Sequence, residues 1–454
     1  MVLAEELAEY VDSIKYKDLP DNVVRETKKR IIDGLGCAIG AFNEEPVKIA
    51  RKLAENVEST ESSSVLGTKI KTSPDIASFV NSIMIRYFDY NDTYLSKEPA
   101  HPSDNIGACL SVADAKKSNG KDLITAVALA YEIQCRLCDA ADIRHGGWDH
   151  VCYGSVSAAL AACKLMGLSV EEMTEAVNIS LNSHITMRQV RSGKLSMWKG
   201  CSFANAARNA VFSALLARNG MTGPSPIFEG DMGFWKQVSG HFELNTEALG
   251  GRNEHFKIID TYIKYFPAEY HSQSAIWCAL DIRKRIENIE DIESVHIDSH
   301  EAGFTILGND PAKWNPTTRE TADHSLPYIV GRALLEGDIN NNTYSEKKFT
   351  DPKIIEFMKR IKVKEDKTLS AMYPNSIANR VTVVLKSGNV LSKQVNDPRG
   401  HPKNPMSEKE LEMKFNNLTK KFLAINHQKK ALEALWKLEK VDHVAKIFSS
   451  LLVK

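Results

Sequence analysis

A mainly α fold, with a large all-helical domain formed by both chain ends and a smaller α+β lid domain, is predicted by three features of this 454-residue chain. The first is a succession of capped helical segments rich in Ala, Gly and Ser over roughly residues 1–264. The second is a change of texture after Lys264, where alternating and β-branched runs signal strands. The third is a return to helical periodicity from residue 403 to the end. The expected division is therefore 1–264 helical, 265–402 α+β lid, and 403–454 helices packing back on the first domain.

The N-terminal helices carry readable punctuation. Asp21 precedes "NVVRETKKRIIDGLGCAIGAF", and Pro46 can open "VKIARKLAENV", since proline is tolerated in a first turn. Ser73-Pro74 starts "DIASFVNSIMIRYF". Ser169 and Glu172 form a capping box for "VEEMTEAVNISLN", and Gly220 closes "FANAARNAVFSALLARNG". Small residues on nearly every face imply helices buried among helices, because they let backbones approach closely. In the second region "ESVHIDSH" alternates as a half-buried strand does. "NRVTVVLKSGNVLSKQV" reads as a hairpin turning at Ser387-Gly388-Asn389.

Composition excludes several functions. Lys+Arg and Asp+Glu both total 58, so no global field draws in a polyanion, and nucleic acid is not an expected partner. No stretch has the roughly 20 uninterrupted apolar residues of a membrane span. The N-terminus lacks the basic start and apolar run of a secretory signal, so a cytoplasmic protein is expected. Eight cysteines without a signal read as reduced thiols. Cys135 and Cys138 form a lone C-x-x-C inside one helical run, which favours core packing over zinc or redox chemistry. No dinucleotide, P-loop or zinc-protease motif is present, and neither a cofactor nor a metal is expected.

Five polar clusters interrupt this apolar frame. "RYFDYNDTYLSKEPAHPSDN" crowds acidic groups, tyrosines and a histidine into a loop broken by Pro99 and Pro102. Its Asp89, Thr93 and His101 suggest function, whereas Asp92, Ser103 and Asp104 read as turn and cap residues. "RHGGWDHVCYGS" places His150 before a small-residue helix. "RQVRSGKLSMWKGCS" concentrates Arg188, Arg191, Lys194 and Lys199, a basic site suited to carboxylates. "KYFPAEYHSQS" brings Lys264, Glu269 and His271 to the change of texture, and "NPTTRETADHSLPYIVGRA" contributes Arg319, His324 and Tyr328. Together these supply acids, bases and cations without a metal-ligand framework, a combination suited to proton abstraction beside a carboxylate.

At these same clusters the chain resembles the MmgE/PrpD family. The pieces that carry the resemblance are "DYNDTY…HPSDN", "SGKLSMWKGCSFANAARNA", "KYFPAEYHSQ" and "KWNPTTRETADHSLPYIV", in order along nearly the whole chain. The family includes dehydratases of 2-methylcitrate and decarboxylases of cis-aconitate. The resemblance implies a helical domain with a smaller lid, a site between them, a homodimer, and a small tricarboxylic acid substrate. It places family site positions at Asp89, Thr93, His101, His150, Lys199, Lys264 and Tyr328; catalytic duties are expected of Asp89, His101, His150, Lys199 and Tyr328, and substrate contacts of Thr93, Arg191, Lys264 and His271. Asp89 and His101 are the expected acid–base pair and Tyr328 an auxiliary donor. Lys199, Lys264, His150 and Arg191 are expected to hold carboxylates. Where the decarboxylase branch has histidine after F-P-A, this chain has Glu269, which favours a dehydratase of the 2-methylcitrate cycle of propionate breakdown. Alternatives are cis-aconitate decarboxylation, epimerisation of a small dicarboxylic acid and, in another class, a non-catalytic helical scaffold.

Overall fold

The computed structural model describes residues 2–193 and 195–453; Lys194, counted above among the basic residues, lies outside them. The chain divides into two compact units, one comprising Met1–Ser192, Met197–Thr261 and Ser407–Lys454, the other Gly193–Ser196 and Tyr262–Met406.

The first unit is helical. Its main helices are α1 (Leu3–Ser13), α2 (Asp21–Gly40), α3 (Glu45–Ala54), α4 (Pro74–Arg86), α5 (Ile106–Ala115), α6 (Gly120–Ala140), α7 (Val151–Met166), α8 (Val170–Ser183) and α9 (Trp198–Arg218). A two-stranded ribbon, β1 (Ser63–Ser64) with β2 (Lys71–Thr72), is the strand pairing within it that reading helices alone misses. Pro46 and Pro74 stand in the first turns of α3 and α4, and the Ser169–Glu172 capping box is formed. Asp21 begins α2 itself, with Pro20 at the cap.

The small residues do what their size permits. A Cβ on Gly107 of α5 would stand 2.8 Å from the Ser82 Cα of α4, and one on Gly154 of α7 would meet the Phe203 ring of α9 at 2.3 Å. These helices therefore pack at backbone distance, and α4, α5, α7 and α9 form a nearly solvent-free centre. All eight cysteines are free and buried, Cys135 and Cys138 on α6 among them, and burial pushes both of those thiols well up. The helix Glu408–Thr419 packs on α2, where Phe415 contacts Gly36 and Lys414 pairs with Asp33 at 2.6 Å.

The second unit is built on a four-stranded sheet ordered β4 (Ile361–Glu365), β3 (Ile292–Ser299), β5 (Asn379–Leu385) and β6 (Val390–Val395). β3 runs parallel to β4 and antiparallel to β5. The expected hairpin joins β5 to β6, turning through Gly388 at φ +85°. Val295, Ile297, Val381 and Val383 of the sheet share one core with helix α10 (Gln273–Arg283) and the helix Leu326–Glu336.

Candidate active site

The loop after α4 is where the helical unit gathers charge. α4 ends at Arg86, and Asp89 follows with φ +50°, a left-handed conformation that costs a non-glycine residue about 1–2 kcal/mol. Such strain persists where surrounding contacts hold it. Here both carboxylate oxygens of Asp89 are gripped. Oδ1 accepts from Arg86 Nη1 at 2.8 Å, and Oδ2 accepts from Lys199 Nζ at 3.2 Å. Lys199 is in the first turn of α9, next to Gly200. A Cβ on Gly200 would come within 3.3 Å of the Tyr87 Cα, so this glycine lets α9 approach closely enough for the ammonium to reach Asp89.

His101 faces the same carboxylate, with Nε2 3.9 Å from Asp89 Oδ1. Its Nδ1 lies 2.7 Å from the backbone carbonyl of Asp92 and 3.3 Å from Thr93 Oγ1. A carbonyl only accepts, so Nδ1 carries the hydrogen, and the lone pair of the neutral ring is on Nε2. The loop is fixed in turn by the antiparallel bridge Tyr94–Ala100. Beneath it, Asp92 Oδ1 accepts from the Ser103 amide at 3.0 Å.

Asp92, Ser103 and Asp104 are therefore not the exposed turn and cap residues their sequence suggests. All three are fully buried, and no side-chain cap closes α5. Asp104 lies 3.5 Å from Arg86 Nε and accepts from Asn91 Nδ2 at 2.7 Å. Burial pushes its carboxyl up to about 7, against the pull of Arg86. The signal was available: the stretch from 89 to 104 holds four carboxylates, and Arg86 just before it is the obvious counter-charge.

A second element completes the constellation. Residues 186–188 run back along 147–149, with Asp149 N donating to Thr186 O at 2.9 Å and Arg188 N to Gly147 O at 2.8 Å. Gly147, at φ +86°, makes the turn that allows it. This pairing sets Arg191 against Asp149, with Nε to Oδ2 at 2.5 Å and Nη2 to Oδ1 at 3.2 Å. Burial opposes ionisation of Asp149, yet Arg191 holds its carboxyl below the usual carboxylate range. Arg191 Nη2 also reaches His150 Nε2 at 2.7 Å. His150 is buried at the N-terminus of α7, and its ring centroid is 5.7 Å from that of His101, edge-on.

Asp89, Thr93, His101, His150, Arg191 and Lys199 thus come together in one unit, joined by Arg86, Asp104 and Asp149, which sequence reading did not single out. Arg191, expected to hold a substrate carboxylate, makes its two-pronged contact with the carboxylate of Asp149.

The other three expected residues belong to the second unit. Lys264 and His271 are buried there, and His271 Nε2 is 3.9 Å from Glu269 Oε1. Tyr328 sits in the core of that unit and its hydroxyl donates to the Thr343 carbonyl at 2.5 Å. Burial raises that phenol to about 12, with Arg332 opposing. In this arrangement the proton of Tyr328 is engaged by backbone, so its geometry is that of a core tyrosine rather than an auxiliary donor. Among the described residues no group of three or more His, Cys, Asp or Glu side chains is arranged to hold a metal ion.

Comparison with known proteins gives matches along most of the chain. Residues 5–247 match the model of the MmgE/PrpD N-terminal domain and residues 266–440 that of the MmgE/PrpD C-terminal domain. The 2-methylcitrate dehydratase of Escherichia coli K12 is 29% identical, over 87% of this chain and 86% of its own length. The mitochondrial 2-methylcitrate dehydratase of Yarrowia lipolytica is 28% identical, over 88% and 80% respectively. The mouse cis-aconitate decarboxylase is 25% identical, over 97% and 91%.

Proposed function

The chain belongs to the MmgE/PrpD family, it is a lyase, and on that premise we propose that it dehydrates 2-methylcitrate, and citrate as well, without a metal ion. The observation that carries this reading is the placement of His101 Nε2, 3.9 Å from a carboxylate that Arg86 and Lys199 hold in place.

The proton to be removed is on carbon next to a carboxylate and is only weakly acidic, so the base must be oriented and the developing charge on oxygen stabilised. His101 Nε2 takes that proton. Asp89 lies within charge–charge range of the imidazolium that forms, and the Asp92 carbonyl keeps the ring oriented throughout. The electron pair left by the C–H bond forms the new C=C bond as the C–O bond of the neighbouring hydroxyl breaks. The imidazolium can return its proton to that hydroxyl, which leaves as water. The Lys199 ammonium supplies positive charge for a substrate carboxylate at the cost of sharing itself with Asp89. Lys264 remains a proposed carboxylate contact on the family resemblance, and His271 a proposed substrate contact from its place in the fourth polar cluster; the homodimer and the place in propionate breakdown are proposed on the resemblance alone.

The test offers the protein, with chelator present, separate 2-methylcitrate isomers, citrate and cis-aconitate, following unsaturated product by ultraviolet absorbance and carbon dioxide in parallel. The expected result is unsaturated acid from a 2-methylcitrate isomer with no carbon dioxide. Carbon dioxide from cis-aconitate would replace this reading with decarboxylation. Activity abolished by chelator and restored by a divalent cation would overturn the metal-free chemistry.

A further inference from the structure

Arg191 can only donate hydrogen bonds, so the 2.7 Å contact from its Nη2 makes His150 Nε2 an acceptor. The ring hydrogen of a neutral His150 must then be on Nδ1. That atom is buried and has no hydrogen-bond partner among the described residues. A buried N–H without an acceptor costs about 1–3 kcal/mol, and few persist in a folded chain without a reason. We propose that Asp149 and Arg191 are positioning residues that hold His150 as a neutral imidazole in its Nδ1–H form, and that this N–H donates to a substrate oxygen on which negative charge develops.

The surroundings agree on the neutral form. The charged groups facing the ring are Arg191, Arg86 and Arg188 on one account and Asp149 on the other, with Asp149 Oδ1 3.7 Å from Nε2. Burial above all, helped by the arginines, lowers His150 to about 3. Asp149 is tied down independently, since its Oδ1 accepts from the Val151 amide at 3.2 Å at the start of α7, where a helix favours an anion. The chain of support therefore runs from the helix terminus through carboxylate and guanidinium to the imidazole, and ends on one N–H that no described residue accepts.

A neutral imidazole is the better donor for this task in one respect. It stabilises charge as it appears on the oxygen without first binding the ground-state carboxylate tightly, as a cation would. With the His150 ring beside His101, the carboxylate next to the reacting carbon is the oxygen group such a donor would serve. This assignment rests on the proposed proton abstraction; the tautomer does not.

Nitrogen-15 NMR of histidine-labelled protein, with the His150 signal assigned by its loss in His150→Gln, reads the tautomer directly. The expected spectrum shows a neutral, Nδ1-protonated ring from pH 8 to pH 5. An imidazolium or an Nε2-protonated ring in the unmutated protein would overturn the proposal, whether or not any variant folds. In Arg191→Met the Nδ1–H preference should be lost and kcat should fall about 10- to 100-fold with KM nearly unchanged, as loss of a transition-state hydrogen bond gives, and Arg191→Lys should recover part of both. Unchanged tautomer and kcat in Arg191→Met would contradict the positioning role. If no tricarboxylic acid is turned over, the NMR result still decides the tautomer, so failure of the substrate reading and of this one are separable.

Discussion

The described residues contain two pairs of neighbouring histidines, one in each unit, and their surroundings differ. In the helical unit His101 and His150 lie 5.7 Å apart with charged side chains beside both rings: Asp89 near one, Arg191 and Asp149 at the other. In the α+β unit His271 and His300 lie 4.9 Å apart. His300 Nδ1 accepts from the Gly303 amide at the start of the helix α11 (Glu301–Leu307), and its ring stacks on Tyr373 at 5.2 Å. One pair lies among charged side chains, the arrangement the proposed proton transfer needs. In the other, His300 is spent on a helix cap and a ring stack. Residue type does not distinguish them; what each ring is set against does.

That contrast is broken or sharpened by substitution, beginning with the largest effect. His101→Ala should lower kcat by at least about 100-fold while leaving KM within a few-fold, since a positioned general base contributes about 10²–10⁴; steady-state kinetics on the accepted substrate check it. Lys199→Met should lower kcat/KM about 10- to 100-fold, the range of a lost charged hydrogen bond of about 1.5–3 kcal/mol. It should also release Asp89 from one of its two cations.

Acid stability gives a smaller and more general signal. His150 and His300 are each lowered to about 3, chiefly by burial. Their folded values lie below the ordinary value of about 6.5, so the unfolded chain takes up these protons first. Each therefore supports the fold fully at neutral pH and withdraws that support as pH falls from about 6.5 towards 3. Urea midpoints measured across this window should decline, and His150→Gln and His300→Asn should each flatten the decline. Only the first should also impair turnover, since asparagine is itself a good helix cap. The smallest effect is expected of Tyr328→Phe. Losing a hydroxyl bonded to a backbone carbonyl should cost about 1 kcal/mol of stability and change kcat less than about threefold.

Much of this was legible in the sequence, and the residues show why. The helices announced themselves by period and caps, and the hairpin at Gly388 by its turn residues, because these signals are local. His101, Lys199 and Asp89 stood out because polar groups in an apolar frame need a reason. The duties of Arg191 and Tyr328 were not legible, because a side chain's use depends on a partner distant in sequence. Asp149 lies 42 residues before Arg191, and Thr343 lies 15 after Tyr328. Asp92 and Asp104 were hidden for the opposite reason. Beside serine and proline they fit a local turn so well that the count of carboxylates in the stretch was outweighed, and the burial of Asp104 against Arg86 and Asn91 and of Asp92 near Arg30 was missed. The β1–β2 ribbon, with two residues per strand, is too short to show a period at all.

The measurement that bears most directly on the account is the pH dependence of kcat/KM in the unmutated protein and in His101→Ala. If the Nε2 lone pair of His101 is the base, activity falls on the acid side as a single proton is taken up, and that limb disappears from the residual activity of the variant. A limb that persists unchanged in His101→Ala, at a rate within a few-fold of the original, would mean that another group removes the proton.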